Sequence, residues 1–151
     1  MRKCFAVDSS CIVASVCSWH VNHDAAFTEI DRRLSHGERM SVPVHALTEA
    51  YSVLTRFPVP NRFSPKDAWA LIEANFVRAR NVVTLDVNNH VQLLSSLSRD
   101  GLGGGRIYDA VIAASAAQGG ASTLLTFNAR HFEPDPDGIS IVVPTPRTLL
   151  R

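Results

Sequence analysis

The 151-residue chain has almost no lysine: Lys3 and Lys66 are the only two, and every other basic residue is arginine. Nor does one sign of charge prevail. With 15 Lys+Arg against 14 Asp+Glu the formal net charge is +1, so no global basic field of a nucleic-acid coat protein exists, and any nucleic-acid contact has to be local. Cysteine is scarce as well. Cys4, Cys11 and Cys17 match neither a zinc ribbon nor a disulfide scaffold, and they read as small buried hydrophobes in a reducing cytoplasm. No uncharged apolar run approaches the ~18 residues that cross a bilayer, so no membrane association is expected. Arg2 and Lys3 precede an apolar stretch, but Asp8 interrupts it and no small-residue cleavage site follows, which argues against an export signal. The glycines between Gly101 and Gly105 form neither G-x-G-x-x-G nor G-K-[ST], so they read as a hinge loop rather than a phosphate cradle.

What remains is a chain that is 46% hydrophobic and 19% charged, the balance of one globular domain over residues 1–151. Cys4 to Val7 is a short apolar run, and Asp8-Ser9-Ser10 supplies helix caps ahead of Cys11 to Trp19. Ala26, Phe27, Ile30 and Leu34 recur at helical spacing, and Gly37 stands where that helix ends. Arg39 to Pro43 reads as a strand. Val44, Leu47, Tyr51 and Leu54 form the stripe of a helix that must stop before the prolines at 58 and 60. Ser64-Pro65 launches another helix, with Trp69, Ile72 and Phe76 on one face. Val82 to Leu85 is the next strand, and Asp86 caps a helix from Val87 to about Ser98. Ile107 to Gln118 reads as an apolar helix. Leu124 to Thr126 and Ile139 to Val143 are the last strands, the latter after a loop over Pro134 to Gly138. Strands alternating with helices predict a three-layer α/β/α domain with a central, mostly parallel sheet and ligands at the carboxyl ends of its strands.

Carboxylates stand in apolar places near those ends. Asp8 is the only formally charged residue between Lys3 and Asp24. A buried unpaired carboxylate costs several kcal/mol or has its pKa forced upward, so Asp8 either needs a partner or cation or serves simply as a helix cap. Asp109 is the sole charge from Ile107 to Gln118, in a helix expected to be buried nearly all round. The ~0.3–1 kcal/mol that a first-turn acid gains from the helix dipole is small beside that burial cost. Glu49 shares a helix side with His45, Ser52 and Arg56, as on an ordinary solvated face, and becomes a candidate only together with Asp8 and Asp109. Asn128 is either a turn residue or a neutral oxygen and donor beside the same crevice. Converging acids repel unless a cation intervenes, and hard oxygen donors with open water positions suit Mg²⁺ or Mn²⁺. Such an ion activates water and offsets charge on a phosphoryl oxygen, the chemistry of phosphodiester hydrolysis.

Other signals point elsewhere. His20 and His23 are too close for a helical zinc pair, and His131 is expected to support the last loop rather than bind metal. A haloacid-dehalogenase-like phosphatase would need a second Asp where Ser10 stands, and a phospho-acceptor receiver domain would need a late lysine that is absent.

Four segments together resemble bacterial PIN-domain ribonucleases, in particular VapC-type toxins of toxin–antitoxin pairs. They are Phe5-Ala-Val-Asp-Ser-Ser10, Leu47-Thr-Glu-Ala-Tyr-Ser-Val-Leu-Thr-Arg56, Gly104-Gly-Arg-Ile-Tyr-Asp-Ala-Val-Ile-Ala-Ala-Ser-Ala116 and Leu124-Leu-Thr-Phe-Asn-Ala-Arg-His-Phe132, in the family's order. The resemblance implies a Mg²⁺-dependent endoribonuclease (with Mn²⁺ a plausible substitute), metal-site acids at Asp8, Glu49 and Asp109, and a fourth site member at Asn128, where the family often has Asp. It implies that Ser10 and Thr126 order the site and that RNA is the substrate, leaving a 5′-phosphate and a 3′-hydroxyl. It further implies homodimers and a cognate VapB-type antitoxin. Arg56, Arg106 and Arg130 are candidates to grip RNA phosphates or to remain solvated. The competing expectation is a PIN-like RNA-binding or interaction module whose catalysis is weakened by Asn128.

Overall fold

The computed structural model describes residues 2–133, 136 and 138–146. Strand β1 (Cys4–Val7) is buried along its whole length, as an apolar run covered on both faces must be. The chain continues through α1 (Ser9–Val16), α2 (His23–Ser35), β2 (Arg39–Pro43), α3 (Val44–Arg56) and α4 (Pro65–Ile72), which runs on as a wider turn over Glu73–Val77. It then forms β3 (Asn81–Val83), α5 (Val87–Arg99), α6 (Arg106–Gln118), β4 (Thr123–Leu125), a tight 3-10 turn over Ala129–Phe132, and β5 (Ser140–Val142). The expected loop over Pro134 to Gly138 lies largely outside the described residues.

The five strands make one parallel sheet in the order β3-β2-β1-β4-β5. Phe5 stands between Met40 of β2 and Thr123 of β4, which places β1 at the centre. The chain adds strands to one side of β1 through β2 and β3, then returns to add β4 and β5 on the other. The crevice between the carboxyl ends of β1 and β4 is therefore the point where the strand order reverses, the position at which open α/β sheets bind ligands. The Asp8 N–H donates to Leu125 O at 3.1 Å and closes that end of the ladder.

Side-chain caps begin three of the helices: Asp8 accepts from Cys11 N–H, Ser64 from Asp67 N–H, and Asp86 from Asn89 N–H. At the end of α6 the backbone crosses β3 so closely that a Cβ on Gly119 would lie 2.7 Å from Val83 Cγ1. All three cysteines are free and buried.

Three expectations about packing are corrected. The core face of α3 is Ala46, Leu47, Ala50 and Leu54, whereas Val44 and Tyr51 are 41% and 36% exposed. On α4 the buried residues are Ala68 and Ile72, followed by Phe76, and Trp69 is 45% exposed. Both expected stripes rest on the largest side chains, but small alanines let neighbouring helices approach, and the bulky residues turn outward to line an open groove between α3 and α4. Helix α6 is not buried all round: Val111, Ile112, Ala113, Ser115 and Ala116 are inside, while Tyr108 is 54% exposed. Finally α1 ends at Val16 rather than Trp19, because Cys17 adopts an extended conformation. No helix among the described residues is long and apolar enough to cross a membrane.

Candidate active site

The site is built around Asp8, which leaves β1 at its carboxyl end and is only 3% exposed. Its Oδ1 accepts from Ser10 Oγ at 2.6 Å and from the Cys11 N–H at 3.1 Å, while its Oδ2 accepts from Thr126 Oγ1. The same hydroxyls brace the chain after β4: the Phe127 N–H donates to Ser10 Oγ at 3.0 Å and the Asn128 N–H donates to Thr126 Oγ1 at 2.9 Å. Asp8 thus caps α1 and also sits in a closed polar network joining two strand ends, so the two readings of its sequence position coexist. Burial pushes its carboxyl up, and the hydrogen bonds from Ser10, Thr126 and the Cys11 and Ser10 backbone only partly offset this. Burial and the charge of Asp8 together push the Cys11 thiol well up, so this cysteine is a protonated packing residue and no nucleophile.

Glu49 is held from two sides. Ser9 Oγ donates to Oε2 at 2.8 Å, which ties α3 to the start of α1, and His45 Nε2 donates to Oε1 at 3.0 Å from one helical turn back. The imidazole of His45 is itself stacked on the ring of Tyr108, centroid to centroid 5.1 Å and 7° from parallel. Tyr108 precedes Asp109 on α6, so this stack couples the helix carrying Glu49 to the helix carrying Asp109.

Asp109 is half-buried, and burial pushes its carboxyl up. His131 and Arg106 oppose this, while the charges of Glu49 and Asp8 push it further. The three acids therefore share one electrostatic neighbourhood despite lying on three different elements. His131 Nδ1 is 3.4 Å from Asp109 Oδ2.

Asn128 is exposed at the rim and attaches to the network through its backbone. Arg106 is largely committed to structure, since its Nη2 donates to the carbonyls of Arg130 and Glu133 at 2.9 and 3.1 Å. Arg130 and Arg56 are exposed. Sequence reasoning missed Ser9, His45 and Tyr108, and it placed His131 only in a supporting loop. The i, i+4 spacing of His45 and Glu49 was a usable signal for one of these contacts.

No group of three or more His, Cys, Asp or Glu among the described residues is arranged tightly enough to hold an ion unaided. Mg²⁺ keeps several waters and takes one or two carboxylates plus substrate phosphates, so it needs no protein cage. The donor set fits a hard cation in two respects: the donors are carboxylate oxygens, and the like charges of Glu49 and Asp8 at Asp109 are ones a cation would relieve.

The PIN-domain family profile matches residues 5–135. The chain is 35% identical over 128 residues to ribonuclease VapC40 of Mycobacterium tuberculosis, covering 85% of this chain and 89% of that protein. It is 32% identical over 130 residues to ribonuclease VapC27 of the same species, covering 86% and 88%. Among solved structures, VapBC from Salmonella typhimurium bound to DNA aligns with a TM-score of 0.66 at 24% identity, over 95% of this chain and 98% of that one. The M. tuberculosis VapC20 structure, described as a sarcin-ricin loop cleaving toxin, aligns with a TM-score of 0.64 at 18% identity, over 89% and 98%. The two solved structures show the likeness of fold, and the two ribonuclease sequences show the likeness of sequence over most of both chains. With a parallel sheet whose switch point gathers Asp8, Glu49 and Asp109, and a family match spanning most of its length, the chain belongs to the PIN-domain family, among the VapC ribonucleases.

Proposed function

We propose that this VapC-family ribonuclease cuts RNA endonucleolytically with a divalent cation, Mg²⁺ or Mn²⁺, and that Asp8 and Asp109 hold the ion while Glu49 completes its surroundings. The observation that carries this reading is the placement of the acids: Asp8 is buried at the carboxyl end of β1, Glu49 is tied to Ser9, the residue after Asp8, and Asp109, raised first by burial, also feels the charges of both. When bound, such an ion would supply Lewis acidity toward a phosphate oxygen and a more acidic water. The chain's own residues do the positioning. Ser10 and Thr126 fix both oxygens of Asp8, and Ser9 and His45 fix both oxygens of Glu49. Asn128 at the rim contributes a donor and an acceptor toward the phosphate, and Arg130 a cationic fork. Arg106 braces the turn that carries Arg130.

The single domain over residues 1–151, the toxin role, the homodimer and a VapB-type antitoxin belong to the same proposal. Their support is the likeness to VapBC assemblies, one of which, from Rickettsia felis, is bound to a DNA fragment from their promoter. The test is cleavage of RNA by purified chain freed of any partner. Cleavage should require Mg²⁺ or Mn²⁺ and stop in EDTA. Cutting that persists in EDTA, with no metal found by elemental analysis, would overturn the metal mechanism. Calorimetry that detects no Mg²⁺ or Mn²⁺ binding, together with RNA binding and no cleavage, would favour the interaction-module reading.

A further inference from the structure

A cleft of about 310 Å³ opens beside the acids. Its floor at one end is Ser9 and Ser10, the residues that hold Glu49 and Asp8, and Asn128 stands at the same end. Away from the acids its walls are apolar: Val13 from the next turn of α1, Val53 and Phe57 from the far half of α3, and Phe127 from the segment after β4. Val53 lies one turn beyond Glu49, so the cleft continues along the helix face that carries that acid. Its far edge is polar again, with His20 and Asn22 from the α1 to α2 connection.

The chemistry of these walls is specific. Two phenyl rings and two valines exclude a free phosphate or a hydrated cation as the preferred occupant and suit a flat, weakly polar group. His20 Nδ1 accepts the Asn22 N–H at 3.0 Å, so in the neutral ring the proton sits on Nε2, leaving a donor on the cleft-lining side chain. Burial and the neighbouring His23 push the His20 pKa down, which keeps that ring neutral. Asn22 adds a side-chain amide, which offers donor and acceptor together. The volume is at the small end of the roughly 300–1,000 Å³ of small-molecule sites, enough for one nucleoside but not two stacked ones.

We infer that this cleft is a nucleobase pocket, which takes one unpaired base flanking the phosphate cut at the acids and so sets the nucleotide preference at one position beside the cut. Bases in duplex RNA are stacked and paired and cannot enter such a cleft, whereas splayed bases are recognised by aromatic walls and edge hydrogen bonds. The inference rests on the ribonuclease reading.

The fold supplies a reporter. The chain's two tryptophans are Trp19 and Trp69, and the ring of Trp19 meets Phe57 edge-on with centroids 5.2 Å apart. In Trp69→Phe protein held in EDTA, at least one of AMP, GMP, CMP and UMP should change Trp19 emission saturably and compete with a single-stranded oligoribonucleotide. Val53→Phe, which fills the cleft and leaves all three acids in the chain, should weaken that binding tenfold or more. In Mg²⁺ it should flatten the nucleotide preference at one position beside the cut on a random single-stranded RNA pool while cutting continues. Asn22→Ala should move both readouts in the same direction and serves if Val53→Phe proves unfolded by thermal melting. Wild-type cleavage whose preference both variants leave intact, or a Trp19 signal blind to all four nucleotides, overturns the pocket and leaves the ribonuclease reading standing. Failure of the wild-type protein to cut any RNA overturns both.

Discussion

The Thr126 hydroxyl donates to Asp8 Oδ2 across 118 positions of sequence, and Thr126 Oγ1 itself accepts the Asn128 N–H. One buried side chain thereby sets the carboxylate at the end of β1 and the turn after β4. Because both partners are inside, each depends on the other for its hydrogen bonds.

Thr126→Val keeps the shape and removes the hydroxyl. It orphans one oxygen of Asp8 and the Asn128 N–H, so stability should fall by about 1–3 kcal/mol, the cost of a buried group left without its partner. Urea unfolding of the metal-free protein measures this, and an unchanged midpoint would show that water substitutes for the hydroxyl. RNA cleavage should fall at the same time.

Asp109 carries a sign that can be checked against pH. Its folded pKa lies above the ordinary 3.8, so between that value and the raised one the native state binds more protons than the unfolded state. Stability from this group therefore falls as pH rises through that window, and at pH 7 its charge is destabilising. Asp109→Asn should melt higher than wild type at pH 7 in EDTA, with the gain vanishing below pH 3.8, and should abolish cleavage. A lower melting temperature at pH 7 would instead mark Asp109 as a structural partner of His131.

Asp8→Asn should behave differently from Asp109→Asn. The amide places an N–H₂ where Oδ2 accepts from Thr126, and it reverses the direction of a buried hydrogen bond. Cleavage should be lost without the thermal gain seen at Asp109, a contrast that paired melting curves in EDTA resolve.

His45 acts through Glu49. His45→Leu leaves Glu49 Oε1 without its donor and should lower kcat tenfold or more at a smaller change in KM. His45→Gln restores a donor near the same place and should recover most of that loss. Equal loss in both variants would mean that the Tyr108 stack, rather than the hydrogen bond, is what matters.

Asn128→Asp adds a negative charge at the rim. At an effective dielectric of ~20, charges a few ångströms apart interact by several kcal/mol before desolvation is subtracted, so Mg²⁺ and Mn²⁺ should bind more tightly by calorimetry. Turnover need not follow, because a more fully neutralised ion is a weaker Lewis acid. Unchanged affinity would place this residue outside the ion's reach, in keeping with its exposure.

Much of this architecture is legible in the chain itself. The runs Cys4 to Val7 and Arg39 to Pro43 become strands with those same bounds, and the first is the continuous apolar stretch that suits a strand covered on both faces. Asp8, Ser64 and Asp86 announce helix starts because capping is a local contact, decided within three residues. Acids in apolar surroundings stand out for the same local reason, and four motifs in order name the family.

Tertiary structure alone decided the rest. The inward faces of α3 and α4 follow from how closely neighbouring helices approach through alanines, which spacing does not encode. The strand order β3-β2-β1-β4-β5 makes β1 and β4 neighbours and so brings Asp8 to Thr126. The bond from Ser9 to Glu49, the His45 and Tyr108 stack, and the approach of His131 to Asp109 join residues from separate elements. Local propensity and polarity are properties of short segments and can be read from sequence. Which segments meet is set by the packing of the whole sheet and its helices, and no short segment carries that information.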